Sequence, residues 1–454
     1  MSIRIAVLIN ALLFACSAFA VELRVATFNV DATPPVGSAL GGGSVPPMRG
    51  VDDPLSARGV VLLPEGQRPI VLCAVDWIGI ANDGHTAWRE ALADAVDTNV
   101  ERVTVHVLHQ HDAPFVDFAV ETLMVEHGLS GRMFDVVFTR DVIDRVADAA
   151  RDSLDDAVPV THLGLGKAKV EKVASNRRIL GEDGRVAQVR WTATADPALR
   201  AEPEGVIDPW MRAVSFWNED EPVAILTHYA THPQSYYRMG MVSTDFPGLA
   251  RAQRESDLPG VAHIHFNGAG GNIGAGKYND GDPKNRPVLA GRMQEGMKRA
   301  FDTSERHAIA GMNVEWDVRD VALPLRSEID HENEKAVLAN TEADLAARMG
   351  AAREIAWIDR CRAGIPITIG RLRIGTLQVV YMPGELFVEY QLAAQAMAKD
   401  DFVAMAAYGD YGPGYIGTEI AYGEGGYETG LRTSRTAPSV ESVLMKALKE
   451  LLRR

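Results

Sequence analysis

Cysteine is almost missing from this chain. Three occur in 454 residues, Cys16, Cys73 and Cys361. That is too few for a disulfide-built scaffold or a thiolate zinc cage. Cys73 sits in the apolar run Pro69-Ile70-Val71-Leu72-Cys73-Ala74-Val75. This predicts a buried free thiol, with pairing to Cys361 left open. After the first twenty residues no stretch is long and apolar enough to read as a membrane-spanning helix. Clusters of Lys and Arg are also lacking, and the formal net charge is -15. Together these argue against a nucleic-acid surface. No internal repeat or low-complexity linker divides the chain. What is present is 46% hydrophobic and 24% charged, the composition of a globular chain with ample core.

The first twenty residues read as a secretory signal. Arg4 supplies the positive start, residues 5–15 the apolar run, and Ala18-Phe19-Ala20 a small-residue cleavage site. The expectation is a signal over 1–20 and one catalytic-sized unit over 21–454, secreted or periplasmic. The alternative is a lipoprotein modified at Cys16, although Phe14 is bulky for that motif.

Strands are expected at residues 21–30, 58–63, 70–75 and 103–107, with a helix over 87–96 between the last two. Strand, helix, strand in that order favours an α/β layer architecture. Val142, Ile143, Val146, Ala147 and Ala150 fall on one helical face. Residues 180–209 are polar and turn-rich. Helices are expected at 288–301 and 332–357, and a strand at 372–381. From Ser439 a tail helix places Val440, Val443, Leu444, Ala447, Leu448 and Leu451 on one face.

Chemistry gathers where strands end. Val103, Val105 and Val107 alternate with polar residues, the pattern of a half-buried strand. The strand runs into His109-Gln110-His111-Asp112-Ala113-Pro114. Residues two apart on an extended chain point the same way, so His109 and His111 can share a pocket. A second pair, His228 and His232, leaves the strand expected at 223–226. A third strand opens into the glycine-rich stretch 267–276. It departs from the dinucleotide pattern, because Ile273 stands where the last glycine belongs. Glycines that let backbone approach a site are the better reading, and no nucleotide cofactor is expected. A fourth strand runs into Met382-Pro383-Gly384-Glu385. Two histidines and a glutamate form a familiar zinc set, but His228, His263 and His265 compete for the same roles.

These pieces resemble the catalytic domain of the neutral ceramidase family, in the family's order. His109-Gln110-His111-Asp112-Ala113-Pro114 is similar to its His-Thr-His-Ser-Gly-Pro. Ser175-Asn176-Arg177 resembles Asn-Arg-Ser, and Ala230-Thr231-His232 resembles Ala-Thr-His-Gly. Thr244-Asp245-Phe246-Pro247-Gly248 is similar to Gly-Asp-Asn-Lys-Gly, and Pro383-Gly384-Glu385-Leu386 to Pro-Gly-Glu-Phe. Tyr415-Ile416-Gly417-Thr418-Glu419, with Tyr427-Glu428, keeps two tyrosines twelve residues apart.

The resemblance implies an α/β fold of mixed β-sheet layers, two of them, flanked by helices. It implies Zn²⁺ held by His109, His232, Glu385 and Tyr415, and hydrolysis of an N-acyl amide, ceramide or a related acylated amine, by zinc-bound hydroxide. His111 would carry the proton, Tyr427 would donate to the oxyanion, and Arg177 would orient substrate oxygen. His228 and Asp245 would orient the ligand imidazoles or be structural. The substrate would be a small-molecule or lipid N-acyl compound, with peripheral membrane contact allowed. Two departures stand out. The family's loop serine is replaced, since Gly274-Ala275 follows Ile273. The chain also stops soon after the Ser439 helix, without the family's C-terminal immunoglobulin-like domain, which weakens ceramide as the specific substrate. The alternatives are a metal-containing binding protein, or a zinc hydrolase for esters, lactones or sugar N-acetyl groups.

Overall fold

Three sheets supply the frame, and each contains one parallel crossover. A computed structural model of the chain describes residues 22–309 and 311–453. The expected signal over 1–20 lies outside the described residues.

The first sheet orders Val103–Val107, Ile70–Val75, Ser56–Pro64, Leu23–Asp31 and Val158–Val160. The second orders Ala262–Asn267, Glu221–Tyr229, Trp210–Asn218, His162–Lys169 and Glu305–Ala308. A four-stranded sheet orders Val314–Val321, Ile367–Ile374, Leu377–Tyr381 and Phe402–Ala406. Leu72, Leu226, Ile264, Val379 and Ala404 bring all three into one inner core. Helices cover the outer faces. Trp88 and Leu92 of Asn82–Ala95, with Val142 and Val146 of Val136–Asp152, pack on the first sheet around Cys73. Phe246, Ala250, Leu289 and Met293 cover Met211 and Ala213 of the second. The expected α/β architecture of mixed sheets flanked by helices is therefore observed, with a third sheet added to the two layers implied. Among the described residues Cys73 and Cys361 form no disulfide, and Cys73 is fully buried. Among the described residues no helix is long and apolar enough to cross a membrane.

The parallel pairs position the site. Ile70–Val75 and Val103–Val107 are parallel, with helix Asn82–Ala95 between them in the chain. Glu221–Tyr229 and Ala262–Asn267 are parallel around Asp245–Asp257. Leu377–Tyr381 and Phe402–Ala406 are parallel around Val388–Met397. A crossover returns the chain in the same direction, so each pair sends two carboxyl ends to one edge. Cross-sheet hydrogen bonds stitch those ends together. Val107 N donates to Tyr408 O (3.0 Å), Ala407 N to Asn267 O (2.9 Å), and Asn267 Nδ2 to Leu108 O (2.5 Å).

Three local expectations are corrected. Strand Val103–Val107 is buried on both faces, not one, because helices cover its valine side and the inner core covers Thr104 and His106. The helix expected over 332–357 is two, His331–Ala339 and Leu345–Arg362. Between them Asp344 caps the second helix by accepting from Ala347 N (2.7 Å), the local competition that favours Asp at a helix start. The strand expected over 372–381 is a hairpin of Ile367–Ile374 and Leu377–Tyr381. The tail helix Val440–Leu451 buries Leu444, Leu448 and Leu451, as its periodicity requires.

Candidate metal centre and catalytic cleft

Each ligand candidate leaves a different sheet. Beyond Val107 the chain turns at His109, whose φ is +69°. The two histidines of this segment are therefore not on one extended strand. They still meet, ring centroids 4.8 Å apart and edge to face, because the left-handed residue folds the turn back. His109 Nδ1–H donates to Ile78 O at 2.5 Å. His232, just past Glu221–Tyr229, donates Nδ1–H to Gly270 O at 2.7 Å. These bonds fix both tautomers with Nε2 as the acceptor nitrogen, shared at His232 with the Tyr415 hydroxyl. Glu385 opens the short strand Glu385–Leu386, which runs parallel to Tyr415–Ile416 and places Glu385 opposite Tyr415.

The three groups converge in the interior, each at most 1% exposed. Their ligand atoms all lie within 4.8 Å of one another. Glu385 Oε2 is 2.8 Å from His232 Nε2 and 3.3 Å from His109 Nε2. Among the described residues neither His109 Nε2 nor Glu385 Oε2 has a hydrogen-bond partner. Acceptor thus faces acceptor in a buried place, an arrangement that a shared cation relieves. Burial lowers the His232 pKa, which keeps its imidazole in the neutral form that metals need. Burial alone would raise the Glu385 carboxyl. Only positive charge in the place that His109 and His232 face would hold it well below the usual carboxylate range. The donor set fits a divalent cation, with nitrogen and carboxylate ligands of the zinc type.

Tyr415 completes the group on one side. Its hydroxyl is 3.1 Å from His232 Nε2 and accepts from Arg177 Nη1 at 3.3 Å. Arg177 is buried behind the tyrosine, and its Nε meets Glu428 Oε1 at 3.2 Å. It touches the ligands from behind and is not among the residues lining the cleft. His111 lines the cleft, its Nδ1 3.2 Å from His109 O. Burial, then the adjacent His109 and His232, push its pKa well below the ordinary histidine value. Tyr427 also lines the cleft and is 44% exposed, its ring 5.8 Å from that of Tyr415.

Three further residues support the site. Tyr411 donates its hydroxyl to Glu385 Oε1. Tyr408 stacks on His109 with centroids 4.9 Å apart. Tyr237 packs edge-on against His111. The spacing Tyr408, Tyr411, Tyr415 in a glycine-rich loop following a strand was the available signal for the first two. The competing histidines lie elsewhere. His228 stacks on Phe266, and His265 bonds Thr227 Oγ1 at 2.9 Å. The ligand imidazoles are oriented by backbone carbonyls, not by His228 or Asp245. Asp245 instead accepts from Ser235 N at 3.0 Å, three residues beyond His232. The glycine-rich loop does admit close backbone approach. A side chain at Gly271 would meet Glu385 O at 2.2 Å. Gly274 faces the buried Ser175, whose hydroxyl donates to Gly274 O at 2.9 Å.

The centre opens into a cleft of about 280 Å³. No family model matches the chain, and no curated protein matches it. Solved structures do. A ceramidase complexed with C2 superposes with a TM-score of 0.69 at 15% identity, over 95% of this chain and 75% of that one. Neutral ceramidase from Pseudomonas aeruginosa gives a TM-score of 0.68 at 16% identity, over 95% and 74%. The chain therefore has a neutral-ceramidase-like fold.

Proposed function

We propose that this neutral-ceramidase-like fold carries a metal-dependent hydrolase of N-acyl amide bonds. The observation that carries the reading is the buried convergence of His109 Nε2, His232 Nε2 and Glu385 Oε2 at the inner end of a cleft. His109, His232 and Glu385 would hold the cation, Zn²⁺ by the chemistry of the donors, with Tyr415 beside them. When bound, such an ion supplies Lewis acidity, polarising a carbonyl and acidifying water.

The chain's own residues have separable tasks. The net reaction adds water across the amide. A C–O bond forms, the C–N bond breaks, and a carboxylic acid and an amine leave. His111, neutral and beside the centre, takes the proton from the attacking water and returns it to the departing nitrogen. Tyr427 donates its hydroxyl proton in a hydrogen bond to the carbonyl oxygen as negative charge develops there. Arg177 is a positioning residue that holds the Tyr415 hydroxyl and the His232 ring in place. Gly274 carries no hydroxyl, so no acyl group is transferred to that loop. We also infer export, with Val21 as the mature N-terminus, to be read by mass spectrometry of protein from its native cells.

Elemental analysis tests the centre. One zinc per chain is expected, with His232→Ala losing most of it, and chelation should abolish hydrolysis of N-acyl amides. Full zinc content in His232→Ala would remove the triad as the ligand set. Turnover that survives chelation would remove the metal from the reaction. Binding of N-acyl compounds without turnover by zinc-loaded protein would instead indicate a binding protein.

A further inference from the structure

Away from the His109, His232 and Glu385 centre, the same cleft is lined by arginine. Arg353 comes from helix Leu345–Arg362, and Arg432 and Arg435 from the chain before the tail helix. Two have carboxylate partners. Arg432 pairs with Glu334 at 2.7 Å and Arg435 with Glu354 at 3.2 Å. Arg353 does not. Among the described residues its guanidinium donates to Gly42 O at 3.3 Å and lies over the Phe115 ring, 4.5 Å from the centroid. Among the same residues its Nε is buried without a hydrogen-bond partner.

An acidic group of the same lining, Asp117, is already committed. Asp117 accepts from Asn82 Nδ2 at 2.7 Å and from Val120 N at 3.2 Å, where it caps helix Phe118–Glu126. Burial pushes its pKa up to about 7, so it neutralises Arg353 poorly. Burial, then the neighbouring Arg435, draw the Arg353 guanidinium down to about 10. Arg353 is half-buried in the cleft wall, and a partly desolvated cation without a close counter-ion favours a bound anion.

The backbone makes room for this group. A Cβ on Gly42 would fall 1.9 Å from Arg353 Nη2, and Gly42 has φ +62°. The Gly41-Gly42-Gly43 turn therefore admits the guanidinium against main chain. The arginine stands a short way from the candidate metal centre. Its ring partner Phe115 meets Tyr411 edge-on at 5.9 Å, and Tyr411 stacks on His109 at 5.5 Å.

We propose that Arg353 is a specificity-determining residue that binds a carboxylate on the substrate, so that the preferred substrate is an anionic N-acyl compound and not a neutral one. The planar fork of a guanidinium matches a carboxylate through two parallel hydrogen bonds. This rests on the amide-hydrolase reading for the substrate's reacting bond, but the anion subsite stands on Arg353 alone.

Zinc-loaded protein is assayed with chain-matched N-acylglycine, N-succinylalkylamine and neutral N-acylethanolamine. A charge-assisted bond predicts kcat/KM about 10- to 100-fold higher for one of the two carboxylates than for the neutral amide, mainly through KM. Arg353→Gln should erase that preference, Arg353→Lys should keep part of it, and Gly42→Ala should weaken it by displacing the guanidinium. Glutarate supplies a readout without turnover. Titration calorimetry should show it bound about tenfold or more tighter by the wild type than by Arg353→Gln. Glutarate binding that depends on Arg353, with no hydrolysis of any amide, would overturn the enzymatic reading and support the subsite. Equal or better hydrolysis of the neutral amide by the wild type would overturn the subsite and leave the enzyme. Should Arg353→Gln not fold, that wild-type comparison decides alone.

Discussion

The Tyr427 hydroxyl stands at the solvent side of the centre, where it can act on substrate without holding the metal. Tyr427→Phe keeps the ring that packs on Trp191 at 5.0 Å and removes only the hydroxyl. Losing one preorganised oxyanion donor typically costs on the order of 10²–10³ in turnover. We expect Tyr427→Phe to bind zinc normally and to turn over about a hundredfold more slowly. Unchanged turnover would leave the carbonyl oxygen to other donors. His111→Ala should lose roughly 10²–10⁴, the usual share of general acid–base catalysis. Its zinc content should stay intact, because its Nδ1 contacts a carbonyl and the residue lies outside the converging triad. Single-turnover kinetics in ¹⁸O-labelled water, with a search for acylated protein, tests the direct addition of water. A trapped acyl group on any side chain would refute it.

Elements carry the ligands to their places, and the glycine-rich loop sets how tightly. Gly271 packs on the backbone of Glu385, so Gly271→Ala forces Glu385 outward through a contact of 2.2 Å. We expect that variant to fold with reduced zinc occupancy, and full occupancy would show that the loop yields instead. This level of organisation was partly legible in the sequence. The strand exits at His109, His232 and Glu385 were readable because apolar stretches stop where polar residues begin. The strand and helix order was readable for the same reason. What could not be read was convergence. His228 and His232 look alike in a strand exit, and only pairing in the second sheet sends one ring to Phe266 and the other to Gly270. Arg353 reads as one more charge in an alanine-rich helix, because nothing local shows that its carboxylate partners are taken. The single helix expected over 332–357 failed at Asp344, where a side-chain cap outweighed propensity.

The molecule as a whole buries many neutral imidazoles outside the centre. Burial draws His85 and His263 down to about 4, and His106, His228 and His265 to about 3. The unfolded chain protonates these groups near pH 6.5, while the folded chain does not. Below that pH the unfolded state therefore binds more protons. Stability is full above about pH 6.5 and falls as pH drops toward 4, at up to about 1.4 kcal/mol per pH unit for each imidazole. Urea midpoints should thus fall steeply between pH 7.5 and 5. His228, stacked on Phe266 with neither ring nitrogen bonded, contributes to this without any polar partner. His228→Phe should flatten the slope, and an unchanged slope would mean that this imidazole is not buried neutral.

The assignment of one ligand to each of three sheets has a consequence for how the protein matures. No hairpin, crossover or sheet can assemble the centre by itself, because His109, His232 and Glu385 depend on three separate crossovers. Contacts between them close long loops, and such closures come late in folding. Tight cation capture at this centre would then act as an inspector of finished tertiary structure: a molecule with any one sheet undocked would offer two of the three side chains and let the ion go. Zinc retention during refolding would mark the last docking event, whichever sheet arrives last.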